Sequence, residues 1–195
     1  MNDNILKGGL YTANFLFQYL VDEAPPTVRD YIDRLSNIPQ SWDWHPEGDV
    51  LVHTKIVFRR ACKFNDPDLA LAALFHDLGK VDTTEPNGKG GYSAHDHETV
   101  SASLVLYNRN WIKMMGGNVD KVHWIALNHM RVKYLDNMKA NKRKDLVDHV
   151  WFSQLIEFSK CDSREGVTAN MVWEAGGNPL RFLFNKARTF IKNLI

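Results

Sequence analysis

The sequence predicts an all-α fold in a single domain, and three observations carry that expectation. Apolar residues recur at helical spacing over residues 51–64, 69–78 and 100–115, and no stretch shows the sustained alternation of a half-buried strand. The chain has 195 residues, 44% of them hydrophobic and 24% charged, an ordinary globular composition with enough length for one sizeable core.

Taken in order, the N-terminal stretch MNDNILKGGLYTANFLFQYL carries one Lys ahead of a broken apolar run and has no small-residue cleavage site, so no secretory signal is expected. Ala24-Pro25-Pro26 is too short to link two domains. Residues 40–49, rich in Trp and Pro, predict an irregular approach to the helix over 51–64. Asp66-Pro67-Asp68 supplies a capping carboxylate and a first-turn Pro for the next helix, which Gly79 and Lys80 close. The glycine-rich, polar segment 82–94 predicts a loop, with Asn87-Gly88 and Gly90-Gly91 as its turn signals. Further helices are expected over 119–130, 144–161 and 179–194. The last mixes aromatic and basic residues (Arg181-Phe182-Leu183-Phe184, Arg188-Thr189-Phe190-Ile191-Lys192), the pattern of an amphipathic helix packing on the domain or on a second copy in a homo-oligomer.

Charge excludes some partners. Lys plus Arg total 24 against 23 Asp plus Glu, a formal charge of +1, so no global field draws the protein to nucleic acid or membrane, and any preference for anions must be local. No stretch approaches the ~20 apolar residues of a membrane span. The two cysteines, Cys62 and Cys161, lie in apolar helical stretches and read as buried thiols rather than a disulfide framework, which fits a reducing, cytoplasmic location.

The chemistry concentrates where the apolar run Leu69-Ala70-Leu71-Ala72-Ala73-Leu74-Phe75 ends abruptly in His76-Asp77-Leu78-Gly79-Lys80. An imidazole and a carboxylate at the end of a buried helix can reach one cation, whose charge the negative end of the helix dipole also favours. Nitrogen plus oxygen ligation suits divalent Mn, Fe, Co, Ni or Zn better than Mg or Ca. Further candidates are His53 near the start of an apolar helix, Asp162 after the run ending at Cys161, His97 after the glycine-rich loop, and His129 in Ile125-Ala126-Leu127-Asn128-His129-Met130.

The order His53, His76-Asp77, Asp162, with Gly79-Lys80 completing the HDLGK string, resembles the HD superfamily of metal-dependent phosphohydrolases. His45-Pro46-Glu47-Gly48-Asp49-Val50 leading into His53-Thr54, His97-Glu98 after the loop, and Cys161-Asp162-Ser163-Arg164 are similar to the HD domain of bacterial tRNA CCA-adding nucleotidyltransferases, over about residues 44–164. The first forty residues are too few for a nucleotidyltransferase head, so a stand-alone domain is expected. The resemblance implies a reaction in which metal polarises a phosphoryl oxygen and activates water against phosphorus. It implies one or two ions held by His53, His76, Asp77, His97, His129 and Asp162, with Asp77 bridging a pair. Asp77 and Lys80 are the catalytic candidates, and Lys80, His97 and Arg164 those for contacting a nucleotide-like small molecule or an RNA end.

Plainer readings stand beside these. A histidine in a helix is more often a hydrogen-bonded core or surface residue than a ligand, an Asp after a helix is commonly a turn residue, and a Lys in a last turn complements the dipole without further function. His95, His123 and His149 match no family position and are expected at the surface or behind the ligands. The segment Trp42-Asp43-Trp44-His45 either stacks on a base or packs the loop, with packing favoured. The basic run Lys139, Lys142, Arg143, Lys144 reads as a solvated helix start or a phosphate patch. Two rivals from other classes are a nucleic-acid or protein binding module on the same scaffold and a di-iron oxygenase.

Overall fold

The computed structural model describes residues 13–41, 45–88 and 91–192. The expectations placed on Trp42, Asp43, Trp44, Gly90 and the extreme termini lie outside the described residues. The architecture is all-α apart from one small hairpin.

At its centre is α4 (Pro67–Phe75), buried from Asp68 to Phe75. Asp66 accepts from the amide of Asp68, and Pro67 occupies the first turn where its missing N–H costs nothing. A helix apolar on every side must be covered on every side. Around it stand α3 (Val50–Ala61), α6 (His97–Tyr107), α8 (Val119–Val132) and α10 (Phe152–Asp162). Phe58, Phe75, Phe158 and Ile125 are among the fully buried side chains that fill the space between them. Asp49 caps α3 by accepting from the amide of Val52, and Asn118 caps α8 by accepting from that of Lys121.

Two helices precede this core, α1 (Ala13–Asp22) and α2 (Pro26–Leu35). Neither is among the helices expected from the sequence; Pro26 opens the second, and Val28, Ile32 and Leu35 form its buried stripe at helical spacing. The short α11 (Ala169–Glu174), capped by Thr168, leads into α12 (Pro179–Lys192), which packs through Phe182 on a satellite cluster with Val52, Ile56, Val167 and Val172.

Three boundaries differ from the sequence expectation. The helix expected over 100–115 begins at His97 and breaks at Asn108 into α6 and α7 (Arg109–Met114). There the Asn108 side-chain amide donates to the carbonyl of Leu104, competing with the helical ladder. The helix expected over 144–161 is likewise two, α9 (Ala140–Val147) and α10, separated where His149 stacks on Trp124 with ring centroids 3.9 Å apart. The segment expected as a plain loop folds into α5 (Lys80–Thr83) and a hairpin of β1 (Thr84–Pro86) and β2 (Tyr92–Ala94), paired antiparallel with Thr84 opposite Ala94.

Of the two cysteines, Cys161 is buried and Cys62 only partly so, and neither forms a disulfide. Burial pushes their thiols up to about 11 and about 12, so both are neutral and weakly nucleophilic at physiological pH. Among the described residues, no helix is long and apolar enough to cross a membrane.

Candidate metal centre

The ends of five elements converge on one buried polar cluster. α3 contributes His53, the turn after α4 contributes His76 and Asp77, the start of α6 contributes His97, α8 contributes His129, and the last residue of α10 is Asp162. All six are at most 5% exposed, inside a core that is otherwise apolar. Burying six ionisable side chains costs several kcal/mol unless each finds a partner or a cation.

The imidazoles share one orientation. The Nδ1 atoms of His76, His97 and His129 lie 2.9, 2.8 and 2.7 Å from the backbone carbonyls of Ala73, Ala94 and Ala126. A carbonyl only accepts, so each Nδ1 carries the proton and each Nε2 presents a lone pair to the interior. His53 follows the same plan with a carboxylate, its Nδ1 lying 2.7 Å from Glu47 Oε1. The hairpin explains one of these carbonyls: β2 ends at Ala94, and a left-handed Asp96 (φ 57°) turns the chain into α6 so that His97 folds back onto it.

Asp77 lies at the middle. Its Oδ2 is 3.3 Å from His76 Nε2 and 3.7 Å from His53 Nε2, and its Oδ1 is 3.3 Å from His97 Nε2 and 3.9 Å from His129 Nε2. Two groups with metal-ligating spacing therefore share this carboxylate, His53 with His76 and Asp77, and Asp77 with His97 and His129. Asp162 closes the first side, its Oδ1 3.0 Å from His53 Nε2 and 3.8 Å from His76 Nε2.

Two details ask for a cation. His76 Nε2 is buried without a hydrogen-bond partner. His97 Nε2 and His129 Nε2 face each other at 3.2 Å, and with both Nδ1 protons committed elsewhere this sets lone pair against lone pair. A proton or a metal between them relieves the contact. Burial disfavours a charged imidazole at His129 and holds it well below the usual range, and a divalent metal fits the facing nitrogens. The donor set thus suits one or two divalent ions.

The surrounding charges are strongly biased. Burial alone would raise Asp77 and Asp162, but His76 and Lys80 beside the first, and Lys133 and His53 beside the second, hold both carboxyls well below their usual range. Burial alone would depress His53; the carboxylates of Asp162 and Glu47 outweigh it and lift the imidazolium to about 9. Lys133 Nζ is 2.7 Å from Asp162 Oδ2, and Lys80 Nζ donates to Asp77 Oδ2 at 2.8 Å and to Gln40 Oε1 at 3.1 Å. A cavity of about 440 Å³ opens over the cluster, with Asp77, Asp162, His97, Lys80, Lys133 and His45 on its walls.

A protein-family model for the HD domain matches residues 50–150 of this chain, slightly more than half its length. The chain belongs to the HD domain family. The superfamily is one of metal-dependent phosphohydrolases, and its members bind divalent metals. The HD chain is similar to the "Multifunctional CCA protein" of Vibrio cholerae serotype O1 strain O395, 31% identical over 121 residues that are 62% of this chain and 29% of the relative. It is also similar to the protein of that name from Methylococcus capsulatus, 31% identical over 125 residues, 58% and 29% of the two chains. A third, from Acinetobacter baumannii strain AYE, is 45% identical over 71 residues, 35% and 17% of the two. The chain therefore spans under a third of the length of these relatives. No solved structure matches it.

Six of the residues singled out from the HD sequence thus stand together, with Lys80 at their edge. Arg164 does not join them: it is exposed and lines a separate groove with Phe182 and Lys186. His95 is exposed, while His123 and His149 are half-buried outside the cavity. Lys139, Lys142, Arg143 and Lys144 lie on or just before exposed α9, off the cavity wall, with Lys144 paired to Asp148.

Sequence reasoning missed two participants. Glu47, 2% exposed, accepts from His45 as well as His53, and its signal lay in the HPEGDV string already noted. Lys133 has no comparable signature, because a Lys one residue past a helix end is ordinary. Its side chain is 35% exposed, yet its ammonium turns inward onto Asp162, which outweighs partial burial and raises its pKa. Replacing Glu47 with Gln should weaken divalent-metal affinity by about 10- to 100-fold while leaving the helical content intact, since a carboxylate behind a ligating imidazole fixes its orientation and basicity. Isothermal titration with Mn or Co, beside circular dichroism, measures both; unchanged affinity would remove Glu47 from the site.

Proposed function

We propose that this HD domain hydrolyses a phosphate ester or phosphodiester of a nucleotide-like substrate, with one or two divalent transition-metal ions held by His53, His76, Asp77, His97, His129 and Asp162. The observation that carries the reading is the shared orientation of four buried imidazoles, every Nδ1 bonded to a carbonyl or carboxylate oxygen and every Nε2 within 4 Å of the Asp77 carboxylate. A pure binding module gains nothing from such a costly buried array.

A divalent ion bound there supplies positive charge for a phosphoryl oxygen and activates water as the nucleophile. The protein does the rest. Asp77, which belongs to both ligand groups, would serve as a ligand in each. Lys80 and Lys133 lie on the cavity wall beside the two carboxylates, and each would offer its ammonium to a substrate phosphate there. The cavity, about 440 Å³, falls in the range for a small-molecule site. His45 on its lip is held neutral over the physiological range, because burial and the charge of Lys80 push it down to about 4.

The ligand chemistry favours Mn, Fe, Co, Ni or Zn over Mg. Phosphate release from a panel of nucleoside mono- and triphosphates, cyclic nucleotides, dinucleoside polyphosphates and phosphate-ended RNA, run with Mn, Co, Ni and Mg, tests the reading. Turnover of one class with a transition metal supports it; no turnover with any combination overturns it. An oxidised iron pair with visible absorbance and oxygen uptake would favour the oxygenase instead.

Metal affinity should also depend on pH. In the metal-free protein the raised His53 holds a proton on Nε2 between 6.5 and about 9, and its contribution to stability is complete below 6.5 and lost as pH rises through about 9. That proton must leave before Nε2 can ligate. Apparent affinity should therefore climb roughly tenfold per pH unit across that window, with about one proton released per ion, while the metal-free melting temperature falls. Proton release measured in two buffers of different ionisation enthalpy checks the count.

A further inference from the structure

Beside the metal cavity lies a larger groove, about 870 Å³, that the mechanism above does not use. The two share a wall made of Pro39, Gln40, Ser41 and Tyr92. Gln40 is gripped from both sides, accepting from Lys80 on the metal side and donating through Nε2 to the carbonyl of Gly48 on the groove side. The far wall is α12, which sets Arg181 and Arg188 along the groove two helical turns apart, with Asn185 between them anchored to the carbonyl of Pro46.

The acidic groups bordering this groove are already engaged. Asp49 accepts from the amide of Val52, and Glu47 is buried against His45 and His53. Gly48 and Gly176 lie open on the floor, so backbone is accessible to a close-lying chain. Gly177 is the opposite case: a Cβ there would meet Val172 and Val52 side chains at 2.7 and 3.0 Å, so its absence holds the approach to α12 tight against α3. Tyr92, 45% exposed, stands between groove and metal cavity. Cations spaced along a trough and an exposed ring at the reacting end are the elements of single-strand recognition, where phosphates follow the basic wall and a base stacks on the aromatic face.

We propose that this groove binds the phosphodiester chain of a single-stranded oligonucleotide, leading its terminal nucleotide past Tyr92 to the metal cavity. The direction of that chain rests on the proposed phosphohydrolase reading; the groove's affinity for the chain does not. The substrate class is then a strand end rather than a free mononucleotide.

The test uses the full chain stripped of metal, so that no turnover intervenes, with fluorescence anisotropy of labelled eight-residue RNA and DNA strands and a labelled mononucleotide. The wild type should bind a strand at least about tenfold more tightly than the mononucleotide. The paired substitution Arg181→Gln, Arg188→Gln should bring strand affinity down to that of the mononucleotide and reduce the slope of log affinity against log salt by about 1.4, the effect of two lost phosphate contacts on a single strand. The Lys pair, Arg181→Lys with Arg188→Lys, should keep the slope. Both arginine positions are exposed, so melting temperature should stay put.

A wild type that binds strand and mononucleotide equally, or a Gln pair that binds strands as the wild type does, overturns the groove. Preference for RNA over DNA assigns the contacts partly to 2′-hydroxyls and supports the groove, as does equal binding of the two strands. Metal-loaded protein that hydrolyses nothing yet binds strands through the arginines sinks the phosphohydrolase reading alone. Turnover of a small chromogenic phosphodiester without strand preference sinks the groove alone.

Discussion

Replacing Asp77 with Ala should abolish divalent-metal binding and lower turnover by on the order of 10³-fold or more, the loss expected when the charge that organises a reaction centre is removed. No other side chain in the cluster lies within 4 Å of four imidazole Nε2 atoms and a lysine. Without it both ligand groups lose their shared carboxylate, and Lys80 loses its ion-pair partner. The metal-free variant should be less stable by roughly 3 kcal/mol, the usual consequence of stranding a buried charge. It should also gain nothing from metal, whereas the wild type at a hundredfold excess over its dissociation constant should gain about 2.7 kcal/mol. Metal content by elemental analysis, thermal shift with and without Mn, and phosphate release separate these effects. Full activity of the variant in metal-free buffer would end the proposed mechanism.

Replacing Gly79 with Ala should cost roughly 2–3 kcal/mol of stability and damage the metal centre from a distance. A Cβ at this position would stand 2.2 Å from the carbonyl oxygen of His97 and 2.9 Å from the amide nitrogen of Ser101. Those are backbone atoms, so no side chain can swing aside, and α6 must move outward. The Gly79 amide also donates to Ser101 Oγ at 2.9 Å, a buried bond that the same movement breaks. Since α6 carries His97, the ligand pair His97 and His129 should lose register, and the second ion should bind more weakly than the first. Urea unfolding in metal-free buffer, compared with a metal titration, reads both consequences. A variant with the wild-type midpoint and wild-type stoichiometry would show that the close approach carries no weight.

Gly79 also illustrates what can be read from a linear string. Within HDLGK, a helix-ending Gly looks like a terminator, and α4 does end nearby. Its larger role, admitting the first turn of α6 against the polypeptide after α4, involves residues some twenty positions away and has no local signature. The helix breaks at Asn108 and near His149 were hidden for the same reason. Apolar periodicity continues through both, and only a side chain bonding back to the Leu104 carbonyl, or a ring stacked on Trp124, interrupts the backbone there.

The sequence by itself determined the helical class and the buried course of α4, because periodicity and residue type are local properties of the string, and its resemblance to the HD superfamily named the six side chains proposed to hold a cation. The tertiary structure decided how they meet. It brought together the carbonyls of Ala73, Ala94 and Ala126 that set three imidazole tautomers, and the Glu47 carboxylate behind His53. It turned the Lys133 ammonium inward to Asp162 and placed Arg164 on another face. Alanine carbonyls and a lysine past a helix end are chemically anonymous in a string of letters; only their distance from a particular nitrogen or carboxylate gives them a role, and distance is what folding supplies.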